Sequence, residues 1–313
     1  MPASTLPLPT RPGTPRRGSG RAGRGSGATL FVGLLVVTIG VGAWAWWQGS
    51  VGSVTIRPHC TGTADGGSAE LDPEQAGNAA IIAGIASKRG LPARAASIGI
   101  ATAMQESKLR NIDYGDRDSV GLFQQRPSQG WGTKKQLQDP VYATNAFYDV
   151  LSKIDGFATM PITDVAQKVQ RSAFPSAYAD HEPEARIIAS GLSGYSPAGF
   201  TCELRTLTDL SEQKPDDSGL TERASAVDEA SSKELGQRHA GVSASGKTLR
   251  YDTGTTRQAW AVAAWAVGRA DGLDVVRVAV ADQYWSRDES TKGWQKVDSD
   301  EALPTGRVRV QVG

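Results

Sequence analysis

Residues 105–127, QESKLRNIDYGDRDSVGLFQQRP, decide how this chain reads. The segment before them, ARAASIGIATAM over 93–104, patterns as a helix, with Ala95, Ile98 and Thr102 on one face. Glu106 therefore falls at the end of an apolar helix, and a polar loop with two glycines follows. A carboxyl group pressed against a helix end loses solvation, which disfavours its charged form and raises its pKa. An acid of that kind can protonate a glycosidic oxygen. The residues alone leave another reading open, because a Glu at a helix end is more often a solvated charge. Asp113, Asp116 and Asp118 are equally double-edged. They offer a second carboxylate, and they are also the residue type that accepts backbone N–H bonds in turns.

Working outward, a helix is expected from Pro73, with Ala79, Ile82, Ile85 and Ala86 at helical spacing. Gly90 stops it, and Pro92 opens the next. Residues 110–135 read as a long ordered loop. Helical patterning returns over 143–154 and 162–170, with a last helix over 178–192. Residues 73–202 thus form one mostly helical domain. Residues 203–246 are a polar linker with a short helix over 221–235. Residues 247–313 form a small α/β module of unknown role, with a helix over 255–269 and strands at 275–281 and around Val308, Val310 and Val312. Trp260, Trp265, Trp285 and Trp294 in this module read either as a sugar-binding patch or, preferentially, as its core.

Ahead of these lies an asymmetric N-terminus. The net charge of the 313 residues is +1, yet residues 1–27 carry five arginines and no acid. The remainder holds 29 basic against 33 acidic residues, a mildly acidic body that excludes a nucleic-acid partner. The tail itself, rich in Pro, Gly, Ser and Arg, reads as disordered. Residues 28–47 are an uncharged apolar run long enough for a membrane span of about 30 Å. Charge on one flank only predicts a single-pass membrane protein, with a cytoplasmic N-terminus and the catalytic part outside. A stalk, 48–72, would follow. Cys60 and Cys202 are the only cysteines, and a disulfide between them is expected outside the cytoplasm. Three histidines without metal spacing, no nucleophile elbow and no phosphate loop imply neither a metal nor a cofactor.

The central stretch resembles the lysozyme-like lytic transglycosylases, whose motif is Glu-Ser, then Gly-Leu-Met-Gln fifteen residues after the Glu, then Pro. Here these are Glu106-Ser107, Gly121-Leu122-Phe123-Gln124 and Pro127, with Phe in place of Met. Asp139-Pro140, Asn145 and Tyr148 are similar to the start of that family's next helix, so the likeness runs over about 73–190. Gly115-Asp116-Arg117 also resembles the goose-type lysozymes, at an interval one residue shorter. The transglycosylase Ala-Tyr-Asn-Ala-Gly motif is missing, and the run from Val169 to Tyr178 stands in its place. The fold this implies is a mainly α lysozyme-like domain after one transmembrane helix, plus the small C-terminal α/β module. The function it implies is cleavage of the MurNAc-β-1,4-GlcNAc bond in peptidoglycan glycan strands, by an enzyme of actinobacterial membrane-anchored cell-wall type. Glu106 would be the general acid and Asp116 its partner. Ser107, Gly121, Gln124, Trp131 and Tyr178 would line the substrate cleft. A non-catalytic wall-binding or scaffold protein, or a subunit of a secretion or conjugation machine, is the alternative.

Overall fold

The computed structural model describes residues 57–170, 175–208 and 211–313, and of 175–177 the backbone alone. The basic tail, the apolar run at 28–47 and the first part of the stalk lie outside the described residues. Among the described residues no helix is long and apolar enough to cross a membrane. The longest, α1 (Pro73–Lys88), has 16 residues. At 1.5 Å per residue it is about 24 Å long, short of a hydrocarbon core of about 30 Å. Against the expectation of a single-pass membrane protein with an extracytoplasmic catalytic part, the described residues contain no membrane-spanning helix.

The start of α1 follows from local chemistry. Asp72 accepts the Gln75 N–H at 3.0 Å, and Gln75 Oε1 accepts the Asp72 N–H at 2.9 Å, a reciprocal cap with Pro73 in the first turn. Every residue from Ala76 to Ala86 is buried. This helix is covered all round, which its Ala- and Gly-rich sequence permits, because neighbours can approach on every side. Around it pack α2 (Ala93–Ser107), α4 (Pro140–Leu151) and α6 (Glu182–Leu192), while α3 (Lys134–Leu137) and α5 (Ile162–Gln170) complete the helical half.

The fold is not mainly α, because two antiparallel sheets accompany these helices. Residues expected as stalk form the hairpin β1 (His59–Ala64) and β2 (Gly67–Leu71). Its two-residue turn, Asp65-Gly66, has positive φ at both positions, 51° and 77°, the geometry that suits tight hairpins. β3 (Phe200–Glu203) pairs with β1 on the other edge, placing Cys60 directly opposite Cys202, and the two are joined as a disulfide.

Beyond β3 come α7 (Glu222–Glu234), inside the expected linker, and α8 (Thr256–Gly268). The second sheet has the order β4 (Gly241–Val242), β5 (Thr248–Asp252), β9 (Arg307–Val312), β6 (Val275–Val280), β7 (Gln283–Ser286), β8 (Gln295–Lys296). Leu249, Tyr251, Val278, Val280, Trp285, Val308 and Val310 point inward and are buried. Trp260, Trp265 and Trp285 are core residues, and Trp294 packs edge-on to Trp260 at 5.1 Å. The indole N–H groups of Trp285 and Trp294 donate to the Cys202 and Phe200 carbonyls at 2.9 and 2.8 Å, binding the six-stranded sheet to β3. α8 crosses α1 where both carry small residues, since a Cβ on Gly268 would stand 3.0 Å from that of Ala80. What the sequence presents as an appended module is therefore packed on the same central helix as the helical half.

Candidate active site

Glu106 occupies the last turn of α2, and the chain reverses immediately after it. Lys108 and Leu109 both adopt left-handed backbone, φ 55° and 58°. Such conformations cost non-glycine residues roughly 1–2 kcal/mol each and persist where the surroundings over-determine them. Here α1 supplies the clamp. Gln75 Nε2 donates to the Lys108 carbonyl at 2.9 Å, and Asn78 Nδ2 to the Leu109 carbonyl at 2.7 Å. Leu109 is fully buried.

The loop then returns beneath the acid. Gly121 donates its N–H to Ile112 O at 2.7 Å. Its φ is +78°, and a Cβ there would meet the Leu137 carbonyl at 2.2 Å, so close backbone contact requires glycine. Ser107 Oγ donates to Leu122 O at 2.7 Å, tying the helix end to this return. Phe123 is buried and stacked on Phe147 at 4.6 Å. Gln124 uses its side chain within the loop, bonding the Tyr114 and Gly121 carbonyls, both at 3.2 Å, and accepting from Ser119. Ser107, Gly121 and Gln124, expected as walls of the substrate cleft, thus brace the backbone around the acid.

Two side chains act directly on Glu106. Tyr178 is fully buried and its hydroxyl donates to Glu106 Oε1 at 2.6 Å. Gln170, at the end of α5, is the second, and its Nε2 also donates to Phe123 O at 2.6 Å. Burial pushes the Glu106 carboxyl above its ordinary pKa, and the hydrogen bonds from Tyr178 and then Gln170 pull partly against it. The expected sugar-stacking role of Tyr178 does not match its position, since its ring is enclosed and its hydroxyl holds the acid. Gln170 was missed in the sequence. The one signal for it was its place at the start of the run from Val169 to Tyr178.

The acidic loop is arranged differently. Asp116 is exposed, with Arg117 Nε at 3.9 Å as its nearest cation. Its carbonyl accepts the Ser119 N–H and hydroxyl, at 3.0 and 2.6 Å, in a turn. Asp118 is engaged by Arg126 at 2.9 Å and by the Ser128 N–H at 2.8 Å, and these hold its carboxyl down at about 2. Among the described residues, the forces acting on Glu106 include no second carboxylate. Trp131 is half-buried and borders a cavity of about 450 Å³ together with Gln129, Lys168 and Gln170, so Gln170 lies between that space and the acid. A larger groove, about 910 Å³, sits towards the other end of α2 between Arg94, Glu182 and Tyr195, and Glu106 is not in its wall. Chemistry rather than size marks the site. No cluster of potential metal ligands occurs among the described residues.

No protein-family model matches the chain, and no curated protein matches it in sequence.

Proposed function

We propose that this chain cleaves peptidoglycan glycan strands at the MurNAc-β-1,4-GlcNAc bond, in the manner of the lysozyme-like lytic transglycosylases, with Glu106 as general acid. The observation that carries the reading is the half-buried Glu106 carboxyl, raised in pKa by desolvation and held by Tyr178 at 2.6 Å. A carboxyl whose protonated form is favoured by burial can donate to the glycosidic oxygen as the bond from C1 breaks. The positive charge arising at C1 is met by the oxygen of the substrate's own N-acetyl group. Glu106, now ionised and stabilised by the Tyr178 hydroxyl, accepts the proton of the sugar's 6-hydroxyl as that oxygen attacks C1. The product is a 1,6-anhydro sugar. This single-acid route is favoured over inverting hydrolysis, which needs a second carboxylate roughly 6.5–9.5 Å away to activate water. Asp116, turned to solvent beside Arg117, and Asp118, tied to Arg126, are poorly suited to that task.

The test is digestion of purified peptidoglycan by the full-length protein and by Glu106→Gln, with products weighed by mass spectrometry. Anhydro-muropeptides are expected from the wild type, with a loss of at least ~100-fold in the variant. Reducing-end products would replace the transglycosylase step by hydrolysis. Equal release from both proteins would end the enzymatic reading and leave a glycan-binding scaffold.

A further inference from the structure

The six-stranded sheet has one face packed on helices and one face turned to solvent, and the open face is basic. Arg250 on β5 stands directly opposite Arg309 on β9, and Arg277 on β6 lies one row away, opposite Gln311. Like charges paired across strands destabilise a sheet, so such a row calls for a counter-charge. Asp252 provides one for Arg307 at 3.3 Å and, more distantly, for Arg250 at 3.9 Å. Among the described residues, Arg277 and Arg309 have no carboxylate within ion-pair distance. Arg309 reaches only the backbone carbonyl of Glu301 at 3.4 Å. The Arg277 guanidinium carbon stands over the Tyr284 ring, 3.9 Å from its centroid, a cation–π contact that restrains it. Between the two guanidinium groups is a cavity of about 160 Å³ that Thr248, Gln311 and Glu301 also line.

We propose that this cavity binds a phosphate group, either free or carried on a phosphodiester polymer. Two arginines supply charge and forked donors, the pairing that recognises oxyanions most strongly. Thr248 and Gln311 add neutral donors, so the set comes from three strands. That arrangement suits the oxygens of a tetrahedral anion better than a planar carboxylate. Glu301 on the rim opposes any anion and sets the sign of one test. This site is independent of glycan cleavage at Glu106.

The full-length protein is titrated with inorganic phosphate by calorimetry at fixed ionic strength, with acetate as the planar-anion comparison and poly(glycerol phosphate) as the polymer. Saturable one-to-one phosphate binding is expected. Arg277→Gln and Arg309→Gln should each weaken it about 10-fold or more, the scale of a lost charge-assisted hydrogen bond, while Glu301→Gln should tighten it. Thermal unfolding of the variants should shift only slightly, since Arg309→Gln relieves the pairing with Arg250 and Arg277→Gln gives up a single contact with Tyr284. Tighter binding of the polymer per phosphate assigns the site to a polymer, and equal binding assigns it to the free ion. Non-saturable binding, an Arg277→Gln/Arg309→Gln protein that binds like wild type, or acetate binding as well as phosphate would overturn the proposal.

Discussion

Substituting Gly121 by alanine separates two costs that are usually confounded, if Gly156→Ala is measured beside it. Both glycines have left-handed backbone, φ 78° and 74°. A Cβ on Gly156 meets nothing within 4 Å, so its replacement isolates the conformational cost, roughly 1–2 kcal/mol. At Gly121 the new Cβ falls 2.2 Å from the Leu137 carbonyl, where ordinary contact begins at 3.4 Å, so about 1.2 Å must open between two backbone segments. No rotamer change relieves a clash of backbone with Cβ. The opening disrupts Gly121 N–H to Ile112 O, Asn111 Nδ2 to Gln138 O and Gln138 Nε2 to Ile112 O, at 2.7, 2.7 and 2.8 Å. At about 1 kcal/mol for each hydrogen bond, Gly121→Ala should cost on the order of 4–5 kcal/mol in all. Urea unfolding followed by the fluorescence of buried Trp265 and Trp285 measures both variants, and an unchanged slope would license the comparison. The displaced loop carries the carbonyls held by Ser107 and Gln170, so glycan release should fall even where the variant remains folded. A difference between the two variants below about 1 kcal/mol would refute the claim that backbone contact with Leu137 demands glycine at 121.

Three further outcomes follow from the same geometry. The proton-donating form of Glu106 is lost as pH rises through its raised pKa, and the Tyr178 hydrogen bond works to lower that pKa. Tyr178→Phe should therefore move the alkaline limb of the kcat/KM profile to higher pH, and an unmoved or acid-shifted limb contradicts the assignment. Because the folded-state pKa of Glu106 lies above its unfolded value, the stability linked to it is complete below the unfolded pKa and is lost as pH rises through the folded one. Melting temperatures of Glu106→Gln should accordingly fall less than those of wild type across that window, and parallel curves would count against a desolvated acid. Replacing Cys60 and Cys202 by alanine opens a link across 142 residues, worth up to about 5 kcal/mol on the chain-entropy account. Denaturant unfolding should show a loss of roughly 2–5 kcal/mol, and a loss under about 1 would mean that strand pairing alone holds β1 to β3.

What the sequence made legible was the local and the periodic. The helix ending at Glu106, the helices at 73–88 and 162–170 and the strand around Val308, Val310 and Val312 follow from spacing and caps. The link between Cys60 and Cys202 follows from there being two cysteines. The hairpin at 59–71 went unread because its residues are small and polar, although Asp65-Gly66 is a strong turn signal. Assembly was harder to see. Nothing in the pattern of α1 says that α8 covers its remaining face, because alanine and glycine carry little hydrophobic contrast. At the site, the position of Glu106 was readable from one interval, but its environment was not. Tyr178 and Gln170 reach it from 72 and 64 residues away, and contacts at that separation leave no local periodicity. Asp116, matched at an interval one residue short, sits in an exposed turn.

The burial of α1 on every side has a consequence for how this protein can be dissected. Lys88 caps the end of α7 through the Ser232 and Lys233 carbonyls, Glu234 joins Arg269 to Trp265 in the interior, and Gly268 abuts Ala80. A gene fragment ending near residue 202, where composition suggests a boundary, would strip α7 and α8 from this helix and leave an adhesive flank of alanines facing water. Nicking the polypeptide between β3 and α7 would leave those same surfaces mated, as in a split reporter reconstituted from two chains. The two halves are thus inherited together, and recombination that shuffles either one alone would deliver half of a shared interior.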